Sequence, residues 1–293
     1  MTAPVLVGIH GLNNKPPAPV LAAWWAASLH EGLARNLGLG DLQLDFRLAY
    51  WADLLHAAPV PPDDDPAPYT EAPGEGALPR ARTGLRRRMA AWGYEAAGKV
   101  AEAVASAPPL EAFIEDLVNA RANDLFRYHT EAGLRVRVRQ RLEDQLAAAA
   151  ATRCPVVLIA HSMGSIIAYD VLRQHPCIAI AHLVTIGSPL GLAEIKAHAT
   201  REFGTPVVPA GVAQWTNLSD PRDPVAAFDV RLRSDYGPNA SGVQITDASV
   251  MNTYVSPLGR ANPHKVYGYL RAPEMSALLV QVLGDAENQG GHS

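Results

Sequence analysis

The segment from Pro155 to Leu172 constrains this chain most. Pro155-Val156-Val157-Leu158-Ile159-Ala160 is an unbroken apolar run of strand length, and Ser165 to Leu172 reads as a helix. Only His161-Ser162-Met163-Gly164 lie between them. A strand apolar on both faces belongs inside a parallel sheet, where crossover helices cover it. Val5–Ile9 is a second run of this kind. Leu42–Tyr50 reads as a strand with Leu42, Leu44, Phe46 and Leu48 on alternate positions. Ile180–Ile186, Val212–Leu218 and Val243–Thr246 complete the predicted strands. Helices are predicted over Ala18–Leu37, after prolines, and over Glu274–Leu283. Another runs along Leu134, Val138, Leu142 and Leu146, ending near Ala151. Alternation of this kind predicts an α/β fold, a mostly parallel central sheet with helices on both faces.

Apolar residues are 48% of the 293, enough for one large core, so a single domain over 1–285 is expected. The last residues, 286–293 and the glycine-rich stretch before them from Gly284, read as a flexible tail. Lys plus Arg is 25 and Asp plus Glu is 29, a net charge of −4. That balance lacks the basic footprint of a nucleic-acid binder. No apolar run approaches the roughly 20 residues of a membrane span, and no basic leader is visible. A soluble, cytoplasmic protein is therefore expected. Cys154 and Cys177 are too few for a disulfide framework or a zinc site, and their neighbours suggest small buried hydrophobes. Trp24, Trp25, Trp51 and Trp92 read as core, with the lining of an apolar acyl pocket as the alternative.

Residues 52–130 stand apart as an insertion before the serine-bearing strand. Seven of the chain's 24 prolines and Asp63-Asp64-Asp65 fall within 57–80, which predicts a weakly held surface loop or mobile segment. Arg86-Arg87-Arg88 open a predicted helix to about Ala105 with a solvated face, and Leu110–Phe126 reads as another. Together these helices could wall or cover a site, as a lid does.

Ser162 stands at a sharp strand-to-helix turn, the nucleophile-elbow arrangement. Such a turn needs small residues two positions before and after the serine, here Ala160 and Gly164. A serine hydroxyl is a weak nucleophile without a base. With partners in the order serine, acid, histidine, the candidates after Ser162 are His175, His182, His198, His264 and His292. Only His264 falls in a loop after the last predicted strand. Asp223, fixed by Pro224, is the favoured acid, and Asp220, beyond the same strand, is the alternative. Backbone donors for a developing oxyanion are expected at the N–H of Met163 and, after His10-Gly11, at the N–H of Leu12.

These motifs resemble the α/β-hydrolase family of serine esterases and lipases. The resemblance covers Val5–Leu12, Val156–Leu172, His182–Leu190, Trp215–Val225 and His264–Leu270, and fades across 51–130. Ala-His-Ser-Met-Gly is similar to the elbow of small bacterial lipases, where alanine also stands first. Thr185-Ile186-Gly187-Ser188-Pro189 is similar to the strand after the elbow helix in such proteins. The resemblance starts at the strand that bears the oxyanion loop, so the family's usual first two strands are expected to be absent. The resemblance implies hydrolysis of a carboxylic ester, a small-molecule acyl ester substrate, through an acyl-enzyme, with no metal or organic cofactor. It leaves open an acyltransferase, thioesterase or peptidase with the same triad, and a non-catalytic binding protein on the same scaffold.

Overall fold

The computed structural model describes residues 3–81, 124–226 and 231–289. Six parallel strands form one sheet: β1 (Val5–Ile9), β2 (Asp45–Ala49), β3 (Val156–His161), β4 (His182–Ile186), β5 (Trp215–Ser219) and β6 (Ile245–Ser249). Their spatial order is β2-β1-β3-β4-β5-β6. The chain steps outward from β1 to β2, then returns to the other side of β1 with β3 and moves outward again. The order thus reverses between β1 and β3, and loops leaving those two strands diverge to open a crevice at their carboxyl ends.

Helices cover both faces. Helix α1 (Ala18–Leu37), with α6 (Val266–Leu270) and α7 (Pro273–Gln289), packs on one side; α2 (Phe126–Thr130), α3 (Ala132–Ala150), α4 (Met163–Gln174) and α5 (Ala193–Phe203) pack on the other. Alternation along β1 sends Val5, Val7 and Ile9 into the core with Leu142 and Ile167, and Leu6 into the core with Trp25 and Leu29. β1, β3 and β4 are buried along their whole length, and β4 buries His182 and Thr185 against the polar partners Thr216 and Asn217 on β5. Among the described residues no helix is long and apolar enough to cross a membrane.

Several expectations are corrected. The strand expected at Leu42–Tyr50 shortens to Asp45–Ala49, with the leucines still packed on the α1 side. The last strand lies later than Val243–Thr246. Asn239 folds back on Val243, whose N–H donates to Asn239 Oδ1 at 3.0 Å, so Val243 is held in a turn. Helix α7 runs to Gln289, past Gly284, which lowers helix stability without ending it; residues 290–293 of the expected tail lie outside the described residues. Cys154 is half-buried and Cys177 exposed, so neither is a core residue. Trp25 and Trp51 are buried as expected, while Trp24 is half-buried.

The 57–80 segment is irregular, apart from a 3-10 turn at Pro62–Asp64, but it is not weakly held. Glu31 on α1 accepts from the Tyr69 hydroxyl and the Ala72 N–H, and Arg35 donates to the carbonyls of Ala72 and Gly76. The fully buried Arg271 donates to Thr70 O and Glu31 Oε2, and the Tyr254 hydroxyl donates to Pro68 O. Trp92 and the helices expected over Arg86–Ala105 and most of Leu110–Phe126 lie outside the described residues.

Candidate active site

Every sequence-predicted site residue falls at the carboxyl edge of the sheet. Leu12 follows β1, Ser162 and Met163 follow β3, Asp220 and Asp223 follow β5, and His264 follows β6. Ser162 has φ +54° and ψ −128°, a backbone state that costs a non-glycine residue energy and persists only where the surroundings hold it. They do so here. The Ser162 N–H donates to Ile186 O at 3.1 Å, and the Ser165 hydroxyl donates to Ser162 O at 2.6 Å. A Cβ on Gly164 would lie 2.5 Å from Ile9 O, and one on Gly11 would lie 2.7 Å from Ser162 Cβ. Only glycines let β1, its following loop and α4 approach this closely.

His264 Nε2 lies 3.0 Å from Ser162 Oγ, and His264 Nδ1 lies 2.9 Å from both Asp223 carboxylate oxygens. All three side chains are buried, Asp223 completely. The Val225 N–H donates to Asp223 Oδ1 at 2.8 Å, and the Tyr269 hydroxyl donates to Oδ2 at 2.6 Å. Gly187, at φ +54°, passes beneath the pair; a Cβ there would lie 2.9 Å from Asp223 Oδ2.

Asp220 is not in this chain of contacts. Its carboxylate accepts from the Arg222 guanidinium at 2.6 and 3.0 Å and from the Asn252 N–H at 2.7 Å. The same asparagine donates from Nδ2 to Lys265 O at 2.8 Å. Asp220 therefore braces the loop that carries His264.

Two further histidines, whose contribution the sequence did not reveal, hold backbone. The Trp51 N–H donates to His10 Nε2 at 3.0 Å, so the ring proton sits on Nδ1 and is donated to Gly11 O at 2.8 Å. Carbonyl and N–H of a trans peptide point in opposite directions, so fixing Gly11 O fixes the Leu12 N–H. Burial, then the Lys15 charge, lowers His10 to about 3, and the ring stays neutral. His161 Nε2 donates to His264 O at 2.8 Å. Burial and the neighbouring His264 hold His161 well below its ordinary value. Met163 opens α4, so its N–H is a first-turn donor with no intrahelical acceptor.

Among the described residues no group of three His, Cys, Asp or Glu is arranged to hold a metal ion. No protein-family model, curated protein or solved structure matches this chain.

Proposed function

We propose that the chain has the α/β-hydrolase fold and is a serine hydrolase that cleaves carboxylic esters. The observation that carries this reading is the continuous contact Asp223–His264–Ser162, with the serine in a strained turn between β3 and α4. In this reading His264 Nε2 takes the Ser162 proton as Oγ attacks the ester carbonyl. Asp223 keeps the imidazole in the Nδ1–H tautomer and stabilises the imidazolium. The N–H groups of Leu12 and Met163 receive the oxyanion. His264 then gives its proton to the departing alcohol, leaving an acyl-Ser162 ester. A water activated by the same imidazole hydrolyses that ester and restores the enzyme.

The test combines a fluorophosphonate probe with esters of graded acyl length. Stoichiometric labelling of Ser162 is expected, with kcat reduced by about 10⁴-fold or more in Ser162→Ala. An unlabelled Ser162, with no ester turned over faster by the wild type than by Ser162→Ala, would overturn the reading and favour a binding protein.

A further inference from the structure

The chain carries 21 arginines and only four lysines, Lys15, Lys99, Lys196 and Lys265. Lys99 lies outside the described residues, and Lys196 pairs with Asp235 at 2.8 Å. The other two flank the candidate active site. Lys15 is three residues beyond Leu12, and its ammonium donates to the Leu12 carbonyl. Lys265 directly follows His264, and its ammonium lies over the Tyr267 ring, 5.1 Å from the centroid. We propose, building on the esterase reading, that Lys15 and Lys265 form a subsite for an anionic group of the substrate, a carboxylate or a phosphate, beside Ser162.

Three observations support this. First, both lysines are half-buried on the loops that carry the expected oxyanion donor and the base, and both charges act on the His161 ring. Second, the carboxylates that act on the pair, Asp65 on both lysines and Asp124 on Lys15, act from a distance and have hydrogen-bond partners of their own. Asp124 accepts the Asn13 N–H at 3.1 Å and faces His56 Nε2 at 3.7 Å, while Asp65 accepts the Ala67 N–H at 2.8 Å. Among the described residues neither lysine forms an ion pair at 4.0 Å or less. Third, the two charges share poorly solvated space. Burial, then repulsion from Lys265, brings Lys15 down to about 7, and burial also lowers Lys265. A desolvated pair of like charges is costly until an anion joins it. An ammonium keeps spare donors, so Lys15 can hold the Leu12 carbonyl and an anion together.

The test compares near-isosteric substrates. Monomethyl glutarate and methyl pentanoate differ by a terminal carboxylate in the acyl part. A butyryl ester of glycerol phosphate and monobutyrin differ by a phosphate in the alcohol part. Wild type is expected to prefer the anionic member of one pair, and the arm that shows it separates acyl carboxylate from alcohol phosphate. The anionic-to-neutral ratio of kcat/KM should fall by about tenfold in Lys15→Met and in Lys265→Met, the loss of one charge-assisted hydrogen bond. Lys15→Arg keeps the charge and should retain part of the preference. No preference in either pair, or a ratio unchanged in both folded methionine variants, overturns the subsite while leaving the esterase reading intact. If no ester is turned over at all, glutarate and inorganic phosphate are titrated into wild type by calorimetry in two buffers near pH 7. Binding with proton uptake, weakened in both variants, supports the subsite on its own. Absent or unaltered binding overturns it.

Discussion

The Tyr269 hydroxyl stands 2.6 Å from Asp223 Oδ2, closer than the His264 ring at 2.9 Å. The phenol oxygen also accepts the Asp220 N–H at 3.1 Å, so it links the two aspartates after β5. Burial and Asp223 hold the phenol well above its ordinary value, and it remains a donor.

Tyr269→Phe removes that donor and keeps the ring. Asp223 then turns more of its charge towards His264 Nδ1–H. The expected result is about a tenfold loss in kcat, from one charge-assisted bond, with the acid limb of the kcat/KM profile moved to higher pH. A full pH profile of the variant checks this. An unmoved limb would reduce Tyr269 to a packing residue.

The two aspartates should separate by assay. Asp223→Asn is expected to lower kcat by about 10⁴-fold, because an amide supports the wrong imidazole tautomer. Asp220→Asn weakens the Arg222 and Asn252 bonds and should appear mainly as lost stability, about 1.5–3 kcal/mol in a denaturant titration. Parallel kinetics and unfolding curves distinguish the two effects.

His10→Leu frees the Gly11 carbonyl and leaves Leu12 N–H without a fixed direction. The expected loss is up to about 10²-fold in kcat, the lower range for removing one oxyanion donor. It should also change acid stability. His10 lies at about 3 in the fold, and His129 and His182 at about 4, chiefly through burial. Between pH 6.5 and about 4 the unfolded chain therefore binds more protons than the folded one, and stability falls as pH falls through that window. Tm should decline as pH falls from 6.5 to 4.5, and the lowered Lys15 adds a decline of its own between pH 8 and about 7. His10→Leu should make the decline below 6.5 shallower by about one proton.

Deleting residues 60–78 takes away Thr70, Tyr69 and the Ala72 backbone, leaving the buried Arg271 and Glu31 short of partners. We expect a loss of about 3 kcal/mol or more. Thermal unfolding of the deletion variant is the measurement, and a Tm within a few degrees of wild type would contradict it.

Much of this arrangement was legible because its signals are local. The run Val156–Ala160 and the turn at Ser162 need only their neighbours to be read, and chain order isolates His264. The eleven-residue helix α5 carries a weak sequence signal because its buried side is narrow, with Ile195 and Ala199 one turn apart among polar residues. Tyr269, His10 and His161 carried no local signal, since each acts through a backbone or carboxylate group distant in sequence or hidden by the fold. The anchoring of 57–80 was illegible for the same reason. Prolines and acidic residues predict irregular backbone, but they say nothing of Arg271, 201 residues beyond Thr70.

That separation bears on how the protein is made. Arg271, Tyr254 and α6 emerge from the ribosome long after α1 and the proline-rich segment they secure. Until then Trp25, Leu29 and Glu31 have no cover on that side, and the nascent chain carries an open apolar flank. A nascent chain that has not yet reached residue 271 leaves this side of the sheet half-clad and prone to association, and the arrival of α6 and α7 is the event that covers it.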